Sequence, residues 1–310
     1  MPLIILMIGL ILLLLGAWGV VTTALKIADK ARISPLIVGI TAVAIGTSLP
    51  ELTVSLLGGI DGATNLALGD IIGSNIANIG LIFAVSILIN STKVGTHKTQ
   101  NNIYLYFGLT LIISFLLYTN NLNIITGFIL IIVGFLTLLW QIQQGKSDST
   151  IADKELITHN EKEIHPYFMI GSFLASLIAL ILGGKLIVDY GVVLANQLNI
   201  SETLVGITAI AIGTSLPELA VSLIGLYKHQ TKLVVGNILG SNIFNLLLGG
   251  GILGMYNVGI LDNTLTLISF IIFSFLLTGC LYFYRGRFIP RLFGFIFLSL
   301  YIIYLSLLLI

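Results

Sequence analysis

Gly46-Thr47-Ser48-Leu49-Pro50-Glu51 recurs, residue for residue, as Gly213-Thr214-Ser215-Leu216-Pro217-Glu218, each copy inside an otherwise apolar stretch. A carboxylate at membrane depth marks a functional site by default. The match reaches further on both sides: Val38 to Leu56 aligns with Val205 to Leu223 at a constant offset of 167 residues, with very few changes. A second matched pair follows at the same offset, Gly73-Ser74-Asn75-Ile76-Ala77-Asn78 and Gly240-Ser241-Asn242-Ile243-Phe244-Asn245. The chain is therefore a duplication, and each half carries the same two-part constellation.

Composition fixes the medium. Hydrophobic residues make up 57% of the chain and charged residues 9%, with a mean hydropathy of +1.09. Soluble domains lie near roughly 45–50% apolar and about 25% charged. This is an all-α polytopic membrane protein. The first apolar run, Leu3 to about Leu25, is long enough to span and reads as a retained helix, not a cleaved signal. The single cysteine, Cys280, excludes an internal disulfide and a thiolate metal site. A net charge of +1 with scattered basic residues gives no footprint for nucleic acid.

At roughly 20 apolar residues per span, the sequence predicts ten transmembrane helices, near 3–25, 35–58, 66–90, 102–119, 123–143, 167–188, 203–226, 232–256, 263–284 and 289–309. Gln144 to Pro166 is the long polar segment, and it falls midway between the repeats. The expected organisation is a first five-helix repeat over 1–143, a cytoplasmic linker over 144–166 and a second five-helix repeat over 167–310, together forming one integrated transmembrane domain. Five is odd, so the second copy runs opposite to the first, as in inverted-repeat transporters. Loop charge gives an independent reading. Thirteen of the 14 basic residues fall in the loops after the odd-numbered helices, with Lys185 alone near the far end of the sixth helix. Lys and Arg collect on the cytoplasmic side, which places both termini outside.

The motif chemistry points to a cation. Pro50 lacks a backbone donor and clashes with the carbonyl of Gly46, so the second helix is expected to open there. Freed carbonyls at membrane depth need a protein, water or ion partner. Glu51 lies one turn beyond Thr47, so its carboxylate is expected to converge with the oxygens of Thr47 and Ser48. Thr214, Ser215, Pro217 and Glu218 repeat the arrangement. Ser74 with Asn78, and Ser241 with Asn245, add polar atoms at one-turn spacing. An oxygen-only set suits hard cations such as calcium, magnesium or sodium. All four histidines, His97, His159, His165 and His229, fall in predicted loops, which disfavours zinc or copper. Two carboxylates balance one divalent or two monovalent ions, and protons compete for the same cluster.

Each residue also has a plainer reading. A lone Ser48 or Ser215 in a membrane helix commonly bonds its own backbone, and Ser55 and Ser222 are left to that role. For Glu51 and Glu218 the plain reading fails, since each buried unpaired carboxylate costs at least about 2.5 kcal/mol. An enzyme such as an intramembrane protease would need paired aspartates, a Ser-Lys pair or a zinc-histidine set. None is present, so the chain reads as a carrier and not an enzyme. An inverted two-repeat arrangement also fits a carrier better than a channel.

The two motif pairs resemble the alpha repeats of the cation/calcium exchanger superfamily, in particular the compact prokaryotic sodium/calcium exchangers. The resemblance covers essentially the whole chain in repeat order and helix count. It implies secondary active, electrogenic antiport of calcium against sodium by alternating access, in a prokaryotic plasma membrane, by a monomer without cofactors. It puts the family's calcium site on Glu51, Glu218, Thr47 and Thr214. The sodium sites fall on Ser48, Ser74, Asn78, Ser215 and Ser241, with the carbonyls of Ala44 and Ala211. It also implies a sliding bundle of the first and sixth helices, Leu3 to Leu25 and Tyr167 to Asp189. A calcium/proton exchanger using the same glutamates stays open as the alternative. Two positions depart from the pattern. Asn245 stands where some relatives, including potassium-dependent exchangers, carry aspartate; it remains a shared sodium ligand but argues against potassium coupling. Asp70 stands where relatives commonly carry a neutral residue, and reads either as an outer-vestibule carboxylate that attracts cations or forms an extra ligand, or as an acceptor for nearby backbone donors.

Overall fold

The computed structural model describes residues 2–90, 97–146, 166–197, 213–256 and 264–308. Its helices are α1 (Pro2–Ala31), α2 (Pro35–Thr47), α3 (Leu49–Ile60), α4 (Thr64–Ile89), α5 (His97–Tyr118), α6 (Ile124–Lys146), α7 (Pro166–Gln197), α8 (Leu216–Tyr227), α9 (Thr231–Gly254), α10 (Thr264–Phe283) and α11 (Arg291–Leu308). Among the described residues eight helices are long and apolar enough to cross a membrane, or nine when the bent pair α2 and α3 is one span. The remaining expected span, 203–226, is described only from Gly213 onward, where α8 forms its second half.

Helix ends differ from the hydropathy boundaries because apolarity marks the lipid core, whereas a helix continues until its backbone is capped. α1 runs on through Lys26 and Lys30 to Ala31, where Arg32 turns the chain at φ 54°. Ser34 then caps α2 by accepting the Leu36 N–H at 3.2 Å. His97 and Lys98 belong to the first turn of α5 and not to a loop. α7 extends to Gln197, so Lys185 lies mid-helix, exposed, instead of near a helix end. α6 reaches Lys146, which shortens the expected linker; its remaining residues, with His159 and His165, lie outside the described residues.

Burial separates centre from periphery. The apolar windows of α9 and α4 are 94% and 78% buried, against 33% for α1 and 22% for α7. The central helices are the ones bearing the second motif. They approach their neighbours through small residues, as close helix contacts require. On α9, Gly236 and Gly240 lie against the carbonyls of Leu36 and Ile40 on α2, and Gly39 of α2 lies against the carbonyl of Leu233. α1 and α7 pair at the lipid-facing side through Gly16 and Gly183, which meet the backbones of Leu180 and Leu13. Both motif glycines contact α7: Gly46 faces Leu177 and Gly213 faces Val188. Lys228, at the end of α8, sits over the Trp18 ring of α1 at 3.8 Å. Burial and the nearby Lys26 hold its ammonium below the usual lysine range.

Candidate cation site

The two first motifs break their helices in the same way. α2 and α3 meet at 43°, and the hinge residue Ser48 has φ −83° and ψ 6°. Its repeat mate Ser215 has φ −85° and ψ 2° immediately before α8. Proline at the start of the following helix explains the position: it has no N–H to offer the preceding turn, and its ring obstructs continuation. Each break creates a helix N-terminus inside the bundle, and Glu51 and Glu218 occupy those first turns. Unpaired N–H groups and the helix dipole favour negative charge there. The second motifs are irregular too, since α4 widens into a π turn over Asn78–Phe83 and α9 over Asn245–Gly249. Such turns are frequent at functional sites.

These four elements bring the expected side chains together, but in a pairing that sequence spacing did not predict. Ser48 does not join Glu51; its hydroxyl donates to Glu218 Oε1 at 3.1 Å. Thr47 likewise faces the other repeat, with Asn237 Oδ1 at 3.3 Å and Ser241 Oγ at 3.4 Å. Ser74 donates to Glu51 Oε1 at 2.7 Å. Its one proton is thereby committed, so the 2.8 Å contact with Ser215 is made by the Ser215 proton. Ser241 lies 3.3 Å from Glu218 Oε1 and 3.5 Å from the Ala44 carbonyl. The near-zero ψ of the hinge turns Ser48 away from its own helix, and so the two repeats interlace. The backbone-only reading of Ser48 and Ser215 is thus overturned, whereas Ser55 follows it, donating to the Glu51 carbonyl at 2.8 Å.

Glu51, Glu218, Thr47, Ser48, Asn78, Ser241 and Asn245 are fully buried, and Ser74 and Ser215 nearly so. Despite this, polar atoms are left over. Glu51 Oε2, Glu218 Oε2, Asn78 Oδ1 and both amide atoms of Asn245 find no hydrogen-bond partner among the described residues. Orphaned buried polar atoms are rare and ask for a ligand. No basic side chain is among the buried residues described. A set of carboxylate, hydroxyl, amide and carbonyl oxygens around two buried charges is a receptor for hard cations. Among the described residues no three His, Cys, Asp or Glu side chains converge, so hydroxyl and amide oxygens complete any coordination shell.

Asp70 is buried instead of lying at an open vestibule, and among the described residues it meets a side-chain donor instead of backbone donors. It is 3% exposed, and its Oδ1 accepts the Thr214 hydroxyl at 3.0 Å. Thr214 is half-buried, with that hydroxyl directed to Asp70. Ala211 lies outside the described residues. Two asparagines beyond the expected set contact these residues, and a third bonds to its own helix. Asn242 Oδ1 accepts from Asn78 Nδ2 at 2.9 Å, Asn237 meets Thr47, and Asn75 donates to the Ile71 carbonyl at 2.8 Å while its Oδ1 stays unpartnered. The signal for Asn75 and Asn242 was their place inside the repeated Gly-Ser-Asn motif; for Asn237 it was its repeat mate, Asp70.

Residues 1–143 and 168–310 match the family described as sodium/calcium exchanger protein. The chain belongs to this family. It is 35% identical over 261 residues to the inner membrane protein YrbG of Escherichia coli K12, covering 83% of this chain and 80% of that one. The sodium/calcium exchanger MaX1 of Methanosarcina acetivorans is 28% identical over 287 residues, covering 81% and 82%. A solved structure of the sodium-calcium exchanger NCX_Mj, soaked with 2.5 mM Na+ and 10 mM Sr2+, superposes with a TM-score of 0.85 at 30% identity over 98% of both chains. The family is one of membrane transporters, and two of these relatives, MaX1 and NCX_Mj, are named as sodium/calcium exchangers. Multi-pass membrane insertion and cation/calcium antiport follow for this chain.

Proposed function

We propose that this protein is an electrogenic sodium/calcium antiporter working by alternating access, with both ions bound at the interlaced site. The observation that carries the reading is the pair of fully buried glutamates, each with one oxygen committed to a serine and one oxygen unpartnered. Two carboxylates neutralise one calcium ion. Removing that ion leaves two like charges in a low-dielectric interior, a state too costly to persist without replacement cations. An ion-loaded site can therefore reorient while an empty one cannot, and this difference is what couples the two fluxes. Electrogenicity follows if more sodium charge than calcium charge moves per cycle.

Glu51, Glu218 and Thr47 form the calcium site, and Thr214, whose hydroxyl is directed to Asp70, borders it. Ser48, Ser74, Asn78, Ser215, Ser241 and Asn245, with the carbonyls of Ala44 and Ala211, complete the sodium sites. The two halves act as inverted repeats around this centre, with both termini outside a prokaryotic plasma membrane, and one chain suffices for transport. α1 and α7 move as the sliding pair. Their packing favours this, since the two pair closely with each other at the lipid-facing side and α7 touches both motif glycines.

Calcium-45 uptake into proteoliposomes preloaded with sodium, potassium or choline at matched pH, with and without a proton gradient, tests the proposal. Uptake driven only by outward sodium is the expected result. Uptake that ignores sodium and follows the proton gradient would replace it with calcium/proton exchange through the same glutamates.

A further inference from the structure

Asp70 is a third buried carboxylate that the two-glutamate site does not use. Its position on α4 is one turn before Ser74, so the two share a helix face, and Glu51 lies within its electrostatic reach. Oδ1 takes the Thr214 hydroxyl at 3.0 Å, while Oδ2 is buried with no hydrogen-bond partner among the described residues. The repeat-related contact makes the asymmetry legible. Thr47 donates to Asn237 Oδ1 at 3.3 Å, so both halves build the same threonine-to-oxygen contact, and only one half adds a charge. A neutral amide satisfies the structural need at Asn237. The charge at Asp70 is therefore surplus to the fold, and burying it unpaired is strongly unfavourable. No Lys or Arg is among the buried residues described, and Asp70 does not converge with the two glutamates on one point.

We propose that Asp70 Oδ2, together with the oxygen of Thr214, holds one additional sodium ion at a locus about one helical turn along α4 from the Glu51–Ser74 contact. This rests on the reading that the neighbouring site carries sodium and calcium. A single surplus carboxylate calls for one positive charge, and an oxygen-only locus for a hard cation. The loaded centre then holds three buried negative charges, so one monovalent ion accompanies the cargo bound between the glutamates. The position departs from the repeat mate, so the extra ion distinguishes this chain from a symmetric site.

Sodium-22 binding to the full chain in lipid nanodiscs tests this, comparing Asp70→Asn, Glu51→Gln and the unmodified protein, with calcium competition recorded on each. The amide at residue 70 keeps an acceptor for Thr214, as Asn237 does for Thr47, so the structural contact survives while the charge is removed. The expected result is loss of one bound sodium equivalent in Asp70→Asn with calcium binding retained, and loss of calcium competition in Glu51→Gln. Unchanged sodium stoichiometry in Asp70→Asn, beside a clear defect in Glu51→Gln, overturns the extra site alone. An Asp70→Asn variant that alters only proton uptake overturns it equally. If neither variant changes sodium or calcium binding, the extra site falls together with the transport site itself.

Discussion

Glu51→Gln is the most informative perturbation of the transport site. Glutamine matches the shape of glutamate, and its carbonyl oxygen can still accept the Ser74 hydroxyl that Glu51 Oε1 accepts at 2.7 Å. What disappears is one of two fully buried charges. Breaking a buried charge pair from one side costs about 3–5 kcal/mol, which at 1.4 kcal/mol per tenfold is roughly two to three and a half orders of magnitude in calcium affinity. Without cations the effect reverses in sign, because removing an uncompensated buried charge is neutral or stabilising. Thermal unfolding in detergent, with and without calcium, reads both terms. At a calcium concentration about 100 times the dissociation constant, binding stabilises the unmodified protein by about 2.7 kcal/mol. The same concentration should stabilise the variant by no more than about 0.4 kcal/mol. Calcium-45 uptake should fall to background in parallel. A variant that keeps both the calcium-dependent shift and the uptake would refute the role of Glu51.

Ser48→Ala removes the 3.1 Å hydrogen bond to Glu218, a contact to a charged group worth about 1.5–3 kcal/mol; sodium competition against calcium should weaken roughly tenfold or more, and an unmoved curve would place Ser48 outside the site. Asn245→Asp adds a negative charge where both amide atoms are unpartnered, so ion competition should change in selectivity or apparent affinity, and no change would remove Asn245 from the lining. Ser55→Ala removes a hydrogen bond to the Glu51 backbone carbonyl, not one to either carboxylate, and its calcium uptake should match the unmodified protein. In Gly240→Ala the new Cβ meets the Ile40 carbonyl of α2; overpacking of this kind costs about 1–3 kcal/mol, to be seen as a lowered unfolding temperature.

The membrane class, the duplication and the two glutamates were legible because each rests on composition or on local repetition. Glu51 and Glu218 stand out in any apolar stretch, and the break at Pro50 and Pro217 follows from the missing N–H. Helix ends were less legible. α1 and α7 continue well past their apolar cores, since polar residues such as Lys26 do not stop a helix once it leaves the lipid. Asn242 escaped because an asparagine beside a site and one bonded to its own helix backbone, as Asn75 is, have the same spacing.

Sequence alone determined the ingredients: two copies of a carboxylate, hydroxyls, amides and a helix-breaking proline, at a spacing that repetition makes unmistakable. Tertiary structure decided the partnerships. Helix periodicity placed Ser48 with Glu51, yet Ser48 serves Glu218, and Thr214 serves Asp70 across 144 residues of chain. The reason is physical. A helix opened at its hinge no longer obeys a 3.6-residue period, so the direction of Ser48 is set by the hinge dihedral and by the glycine-mediated approach of α9 to α2. Only the assembled bundle contains both, and only there does the unpartnered oxygen of Asp70 acquire its meaning.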